Sequence, residues 1–235
     1  MGNLSAVTHT TLAALMLAAQ PASAREPRLP AGFVDAAAVV PGLVVDMRYF
    51  GSDNFVGARI DGYQQPRCVL SAPAAKALAA VARDLAVRGL ALKAFDCYRP
   101  QRAVAHFVRW AQRLDDVRRK AEFYPDVDKR NLFRDGYIAE RSGHSRGSTI
   151  DLTLVRRADG SERAGRELEM GSPFDFFSPR SWPSDTSVSS EAQQNRALLA
   201  AAMTRRGFKP YDKEWWHFTL ADEPFPDTYF DFPVR

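Results

Sequence analysis

The segment STIDLTLV, residues 148–155, alternates so regularly that it restricts the fold more than any other stretch of the chain. Its β-branched content and period of two make it a strand, with Ile150, Leu152 and Leu154 on one face and Asp151 and Thr153 on the other. The apolar set can fill a core, which leaves Asp151 free of that duty. A second strand, WWHFTL, repeats the pattern: Trp216, Phe218 and Leu220 alternate with Trp215, His217 and Thr219. Placed side by side, the two strands would present Asp151 and His217 on a shared face. His144 precedes the first strand, and Ser145-Arg146-Gly147 can turn the backbone so that its ring converges with Asp151, at little cost because of Gly147.

The rest of the chain supplies helices and loops around these strands. LVVDMRY has strand alternation and reads as an edge element, and the Gly-, Asp- and Asn-rich FGSDNFVGARIDGYQ reads as a long ordered loop. Residues 71–88 repeat Ala, Leu and Val at helical spacing, with Ser71 as N-cap and Gly89 as the stop. LALKAFDCY is a strand ended by Pro100, and a helix over 101–119 follows. In it His106 recurs with Val104, Phe107, Val108 and Trp110, as a partly buried structural histidine does. A third helix covers 191–206 and stops at Gly207. The charged stretch from Arg156 to Asp185 has little periodicity and reads as an insertion or a site-covering loop. Nothing divides the chain into two domains.

Composition limits the setting. A length of 235 residues with 46% hydrophobic and 26% charged content fits one globular domain with a sizeable core. Residues 1–24 contain no Asp, Glu, Lys or Arg, carry an apolar run from Leu12 to Ala19, and end in Ala22-Ser23-Ala24, the small-x-small pattern of a cleaved signal peptide. The expectation is a signal peptide over 1–24 and a periplasmic or secreted domain over 25–235. The apolar run is too short to span a bilayer. The net charge of +4 comes from scattered basic residues interrupted by acids, as in RWAQRLDDVRRK, which reads as a solvated helix face and not as a nucleic-acid footprint. In an oxidising compartment Cys68 and Cys97 form either one disulfide or a pair of buried thiols, and their spacing leaves both open.

His144, Asp151, Glu214 and His217 together offer two imidazoles, one ligand carboxylate and one spare carboxylate, the inventory of a catalytic zinc site with an open coordination position. Taken singly, a His-x6-Asp pair or a Glu-x-x-His is a common polar contact. Glu214 also lies three residues from His217, an offset that puts them on opposite faces of an unbroken strand. A bend at Lys213 or Glu214, after the turn-forming Pro210-Tyr211-Asp212-Lys213, would let Glu214 stand beside the metal as a general base. FDCYRP adds Arg99 at a strand end, where site residues commonly emerge.

SGHSRGSTIDLTL, EWWHF and DCYRPQRA together resemble the D-alanyl-D-alanine dipeptidases, the VanX-type zinc metallopeptidases that share a fold with D,D-carboxypeptidases and the Hedgehog signalling domain. DNFVG, LFRDGYIAERSGHS and MGSPFDFFS extend the likeness from about residue 43 to residue 218. The resemblance implies an α+β fold, a single domain with a mostly antiparallel central sheet and flanking helices. It implies one Zn(2+) held by His144, Asp151 and His217, Glu214 as catalytic acid/base on a zinc-activated water, and Arg99 stabilising the oxyanion. It also assigns Glu169 to the ammonium of a D-Ala-D-Ala substrate, Ser142 to its carboxylate, and Tyr49 to the pocket wall. The alternatives are a D,D-carboxypeptidase acting on peptidoglycan stem peptides and a non-catalytic zinc-bearing cell-wall binding module. Retention of Glu214 and Arg99 opposes the second.

Overall fold

A computed structural model describes residues 1–2, 29–157 and 165–235. All but the first two residues of the expected signal peptide fall outside the described residues. In chain order the elements are β1 (Phe33–Asp35), α1 (Ala36–Val39), β2 (Val44–Val45), β3 (Val69–Ser71), α2 (Ala72–Ala86), β4 (Leu90–Asp96), α3 (Gln101–Gln112), α4 (Lys120–Phe123), β5 (Thr149–Arg156), α5 (Ser190–Arg205), β6 (Phe208–Tyr211) and β7 (Glu214–Leu220). Five strands form a central sheet in the order β2-β4-β5-β7-β6, and β1 pairs with β3 in a small second sheet. All pairings but β2 with β4 are antiparallel. The α+β class and mostly antiparallel sheet agree with expectation.

The registers define two faces. Leu92 lies opposite Leu154, Ala94 opposite Leu152 and Ile150 opposite Phe218. Directly opposed residues share a face, so this set is one apolar surface, covered by α2 and α5. Asp151 lies opposite His217 on the other face. That face is also covered: β5 is buried along its length up to Val155, where the sequence pattern led us to expect apolar contact on one side only. An aromatic layer built from Tyr49, Phe55, Phe107, Trp110, Tyr124 and Phe177 closes over the region.

Caps explain most element ends. Ser71 and Ser189 accept hydrogen bonds from the backbone N–H groups of Ala74 and Ala192 and so start α2 and α5. α3 has no side-chain cap of its own, and the C-terminal segment supplies one: Phe230 O and Asp231 Oδ1 accept from Gln101 N and Arg102 N. That helix stops at Gln112, short of the expected residue 119. The acids that follow, Asp115 and Asp116, suit a helix C-terminus poorly. Lys129 takes over there, donating to the carbonyls of Arg113 and Asp116 at 2.7 Å each. LVVDMRY is an edge element as expected but pairs regularly only over Val44–Val45. Beyond it Asp46 N and Arg48 N still reach Ala94 O and Phe95 O, across a bulge in β4 that breaks the regular ladder.

Candidate active site

Two irregularities in the sheet assemble the site. In β4, Ala94 pairs with Leu152 but Asp96 pairs with Asp151, so one extra residue turns Asp96 onto the face that carries Asp151. In β7, Pro210 pairs with Phe218 while its neighbour Tyr211 pairs with Glu214, so Trp215, Trp216 and His217 bulge outward together. This bulge is wider than the bend expected at Lys213 or Glu214. It brings Glu214 Oε2 to 3.3 Å from His217 Nδ1, and it buries both consecutive tryptophans, which a flat strand would place on opposite faces.

His144 reaches the same point from a short 3₁₀ turn, Gly143–Arg146, capped by Ser142 and ended by Gly147 at φ +83°. Its ring is fixed from behind. Nδ1 lies 2.7 Å from the carbonyl of Cys97, so Nδ1–H donates there and the Nε2 lone pair faces the cavity. Nε2 is 3.3 Å from His217 Nδ1 and 3.2 Å from Asp151 Oδ2, and His217 Nδ1 is 3.0 Å from Asp151 Oδ1. Although that last distance is short, Asp151 Oδ1 is buried and makes no hydrogen bond of acceptable geometry.

One ligand atom from each of His144, Asp151 and His217 lies within 4.8 Å of the others. Two ring nitrogens and a buried, under-bonded carboxylate oxygen directed at a common point are the donor set of a divalent cation such as zinc. The electrostatics agree with that fit. Burial opposes the Asp151 charge, but His144 and His217 overcome it and hold the carboxyl well below the usual carboxylate range. Burial also opposes a charged His217, yet its contacts with Asp151 and Glu214 raise it to about 9. Without metal, a proton on His217 occupies the electrostatic place of the cation.

Around these ligands lies a cavity of about 290 Å³ lined by Tyr49, Arg99, Ser142, His144, Asp151, Asp175, Glu214 and His217, among others. Arg99 is held on several sides. Its Nε donates to Asp96 Oδ2 at 2.9 Å, and its guanidinium stacks 5.0 Å from the Tyr49 ring centroid and 5.2 Å from that of Phe107. Its terminal nitrogens make long contacts, 3.5 Å to both Ser142 Oγ and Asp151 Oδ2. They keep donor capacity for a further partner.

The match with known proteins decides the family. The family model described as D-Ala-D-Ala dipeptidase, Peptidase M15, matches residues 30–235. The chain belongs to this family. It is 40% identical over 204 residues to a D-alanyl-D-alanine dipeptidase of Enterococcus faecium, covering 87% of this chain and 98% of the relative. A second such dipeptidase, from Streptomyces coelicolor, is 42% identical over 86% of this chain and 96% of its own length. A third, from Escherichia coli, is 38% identical over 80% and 83%. Membership makes the protein a metallopeptidase.

Of the eight residues singled out in the sequence, Tyr49, Arg99, Ser142, His144, Asp151, Glu214 and His217 line this cavity. Glu169 does not. It is exposed, its Oε1 accepts from Gly171 N at 2.6 Å, and it borders a different depression with Arg156, Glu167 and Trp215. After Glu169 the chain turns at Gly171, φ +82°, and brings Asp175 to the cavity instead. Asp175 is buried and accepts from Tyr49 Oη at 2.9 Å. Burial, with Asp151 adding to it, pushes its carboxyl well above the usual range. It is also the one non-glycine residue with positive φ, 61°, among those described, and such backbone strain collects at functional sites. A clue to it lay in SPFDFF, where an acid stands inside an apolar run. Asp96 was missed as well: it is fully buried and accepts from Tyr63 Oη at 2.6 Å as well as from Arg99.

Proposed function

We propose that the protein is an exported, zinc-dependent dipeptidase that hydrolyses D-Ala-D-Ala to two molecules of D-Ala. The observation that carries this reading is the convergence of His144, Asp151 and His217 beside Glu214 and Arg99 at one small cavity. Zinc there would supply a Lewis acid and make water nucleophilic near neutral pH. Glu214, half-buried and next to the ligands, takes the proton of the attacking water and returns it to the departing amine. Arg99 directs its free donor capacity at the oxygen on which negative charge develops. Its contacts to Asp96, Tyr49 and Phe107 fix that direction before substrate arrives.

Substrate size and charge support a free dipeptide. A cavity of about 290 Å³ is at the low end for small-molecule sites. We assign the ammonium to Asp175 in place of Glu169, because Asp175 lines the cavity and its carboxyl, raised by burial despite the nearby Arg99 charge, becomes an ammonium acceptor once one enters. Ser142 stands at the opposite side of the Arg99 guanidinium from Asp96 and is the assigned contact for the substrate carboxylate. The relatives' shared activity supports the same substrate.

Export rests on the leader-like residues 1–24, with a mature domain from about Arg25. An exported enzyme cannot intercept D-Ala-D-Ala before it joins a cytoplasmic wall precursor, so the role we assign is D-alanine salvage from wall turnover. Cell fractionation tests this, and a cytoplasmic protein with its leader intact would refute it. Activity is tested by incubating the zinc-loaded protein with D-Ala-D-Ala and with its N-acetyl derivative, and measuring D-Ala. Release from the free dipeptide alone is the expected result. Equal release from both would favour a D,D-carboxypeptidase, and none from either, with zinc bound, a binding module.

A further inference from the structure

The two cysteines are bonded to each other, Cys68 to Cys97, and the bridge lies directly behind the metal ligands. Cys97 is the residue whose carbonyl accepts from His144 Nδ1 at 2.7 Å. Its chain neighbours share the work: Asp96 holds the Arg99 guanidinium, Tyr98 N donates to Val69 O at 2.8 Å, and Arg99 N donates to His144 O at 3.3 Å. The segment 97–99, just past the last ladder residue Asp96, has no helix or ladder of its own. It is an irregular connector between β4 and α3, and with Asp96 it carries three groups that bear on the site.

The other end of the bridge leads into β3, which braces the opposite side of the same ligand. Ser71 N donates to Gly147 O at 2.7 Å, and Ser71 Oγ lies 2.7 Å from Ser148 Oγ, in the turn just after His144. So β3 grips the turn carrying His144 and, through Val69 and the disulfide, the connector against which the His144 ring rests. Both cysteines are fully buried. The bridge is the one covalent link between the two halves of this clamp.

We propose that Cys97, through its bond to Cys68, is a positioning residue for His144 and Arg99, so that the metal is held at full affinity only while the disulfide is intact. This rests on the zinc dipeptidase reading and adds a condition to it: the enzyme is competent in an oxidising compartment and loses metal in a reducing one. Cleavage of the bridge takes two electrons from a thiol reductant, which becomes a disulfide, or from a phosphine, which takes oxygen from water to become a phosphine oxide; the two protons come from the thiols or from that water, and two protein thiols result. The connector then keeps its hydrogen bonds from Tyr98 N and Arg99 N and the Tyr98 side chain's contacts with Phe232, but it loses its covalent tie to β3. The Cys97 carbonyl can swing, and with it the acceptor that orients the His144 ring.

The test compares zinc affinity, by chelator competition, in the parent and in the C68A/C97A and C68S/C97S variants, at a temperature where near-UV circular dichroism shows each folded. The expected result is a zinc dissociation constant at least about tenfold weaker, the scale on which partners of metal ligands act. At saturating zinc, kcat for D-Ala-D-Ala should fall by about tenfold with KM changed less than about threefold. A dissociation constant within twofold of the parent overturns the proposal. If neither variant folds, the parent is reduced with a water-soluble phosphine, thiol titration confirms two free thiols, and the same titration is read the same way. Should that form also fail to fold, the bridge is a folding requirement and the positioning role falls. A parent that binds zinc but cleaves no D,D-dipeptide sinks the functional reading and leaves the affinity comparison standing.

Discussion

At the scale of single residues, each candidate role comes with a separable outcome. Glu214 is near the ligands but is not one of the three that converge, so Glu214→Gln should lower kcat by about 10²–10⁴-fold while metal analysis still finds zinc. Asp175 and Glu169 form a matched pair. Asp175→Asn should raise KM for the free dipeptide by at least about tenfold, since it removes a buried charge partner, whereas Glu169→Gln should leave both constants within twofold. Glu169 was legible only by its place in a motif, and position in a motif says nothing about which way the chain turns after it. The left-handed turn at Gly171 is what exchanges one carboxylate for the other.

His217 gives a pH dependence with a definite sign. Its folded-state value, about 9, lies above the ordinary 6.5, so in metal-free protein its proton contributes stability that is fully present below about pH 6.5 and is lost as pH rises through about 9. Thermal unfolding of chelator-treated protein should therefore fall across that window, by a few kcal/mol in all. Zinc-loaded protein should not follow, because a bound cation replaces the proton. Parallel curves with and without metal would refute this account.

At the scale of elements, the alternation in STIDLTLV and WWHFTL and the capped repeats of α2 and α5 were readable because period and cap chemistry are local properties. The two bulges were not. A bulge is a mismatch between partners, and neither Asp96 nor Glu214 shows in its own strand how the neighbouring strand is registered. The offset of three between Glu214 and His217 did require some break, and the structure answers with a wider one. Gly147 is the element-scale test of the His144 turn. It has φ +83°, and an added Cβ would collide with the Phe33 ring. Gly147→Ala should cost about 2–4 kcal/mol through strain and overpacking, read by denaturant melts, and should weaken zinc binding because the displaced turn carries His144.

For the whole molecule, the disulfide joins residues 29 positions apart and closes a loop that contains all of α2 and β4. Composition left open whether Cys68 and Cys97 were bonded, because spacing in sequence carries no information about approach in space. Chain-entropy reasoning puts the worth of such a closure at about 3–4 kcal/mol. β4 is the strand between β2 and β5, so constraining its end limits the unfolded chain where the sheet must assemble. Reduction should accordingly lower the midpoint of urea unfolding. Because the change on reduction is confined to the buried connector behind His144, the native-state surface changes little, and the slope of the transition should rise modestly as the reduced unfolded chain expands. An unchanged midpoint would show that the native packing of β3 against residues 96–99 already holds the sheet together and that the covalent link adds nothing to its stability.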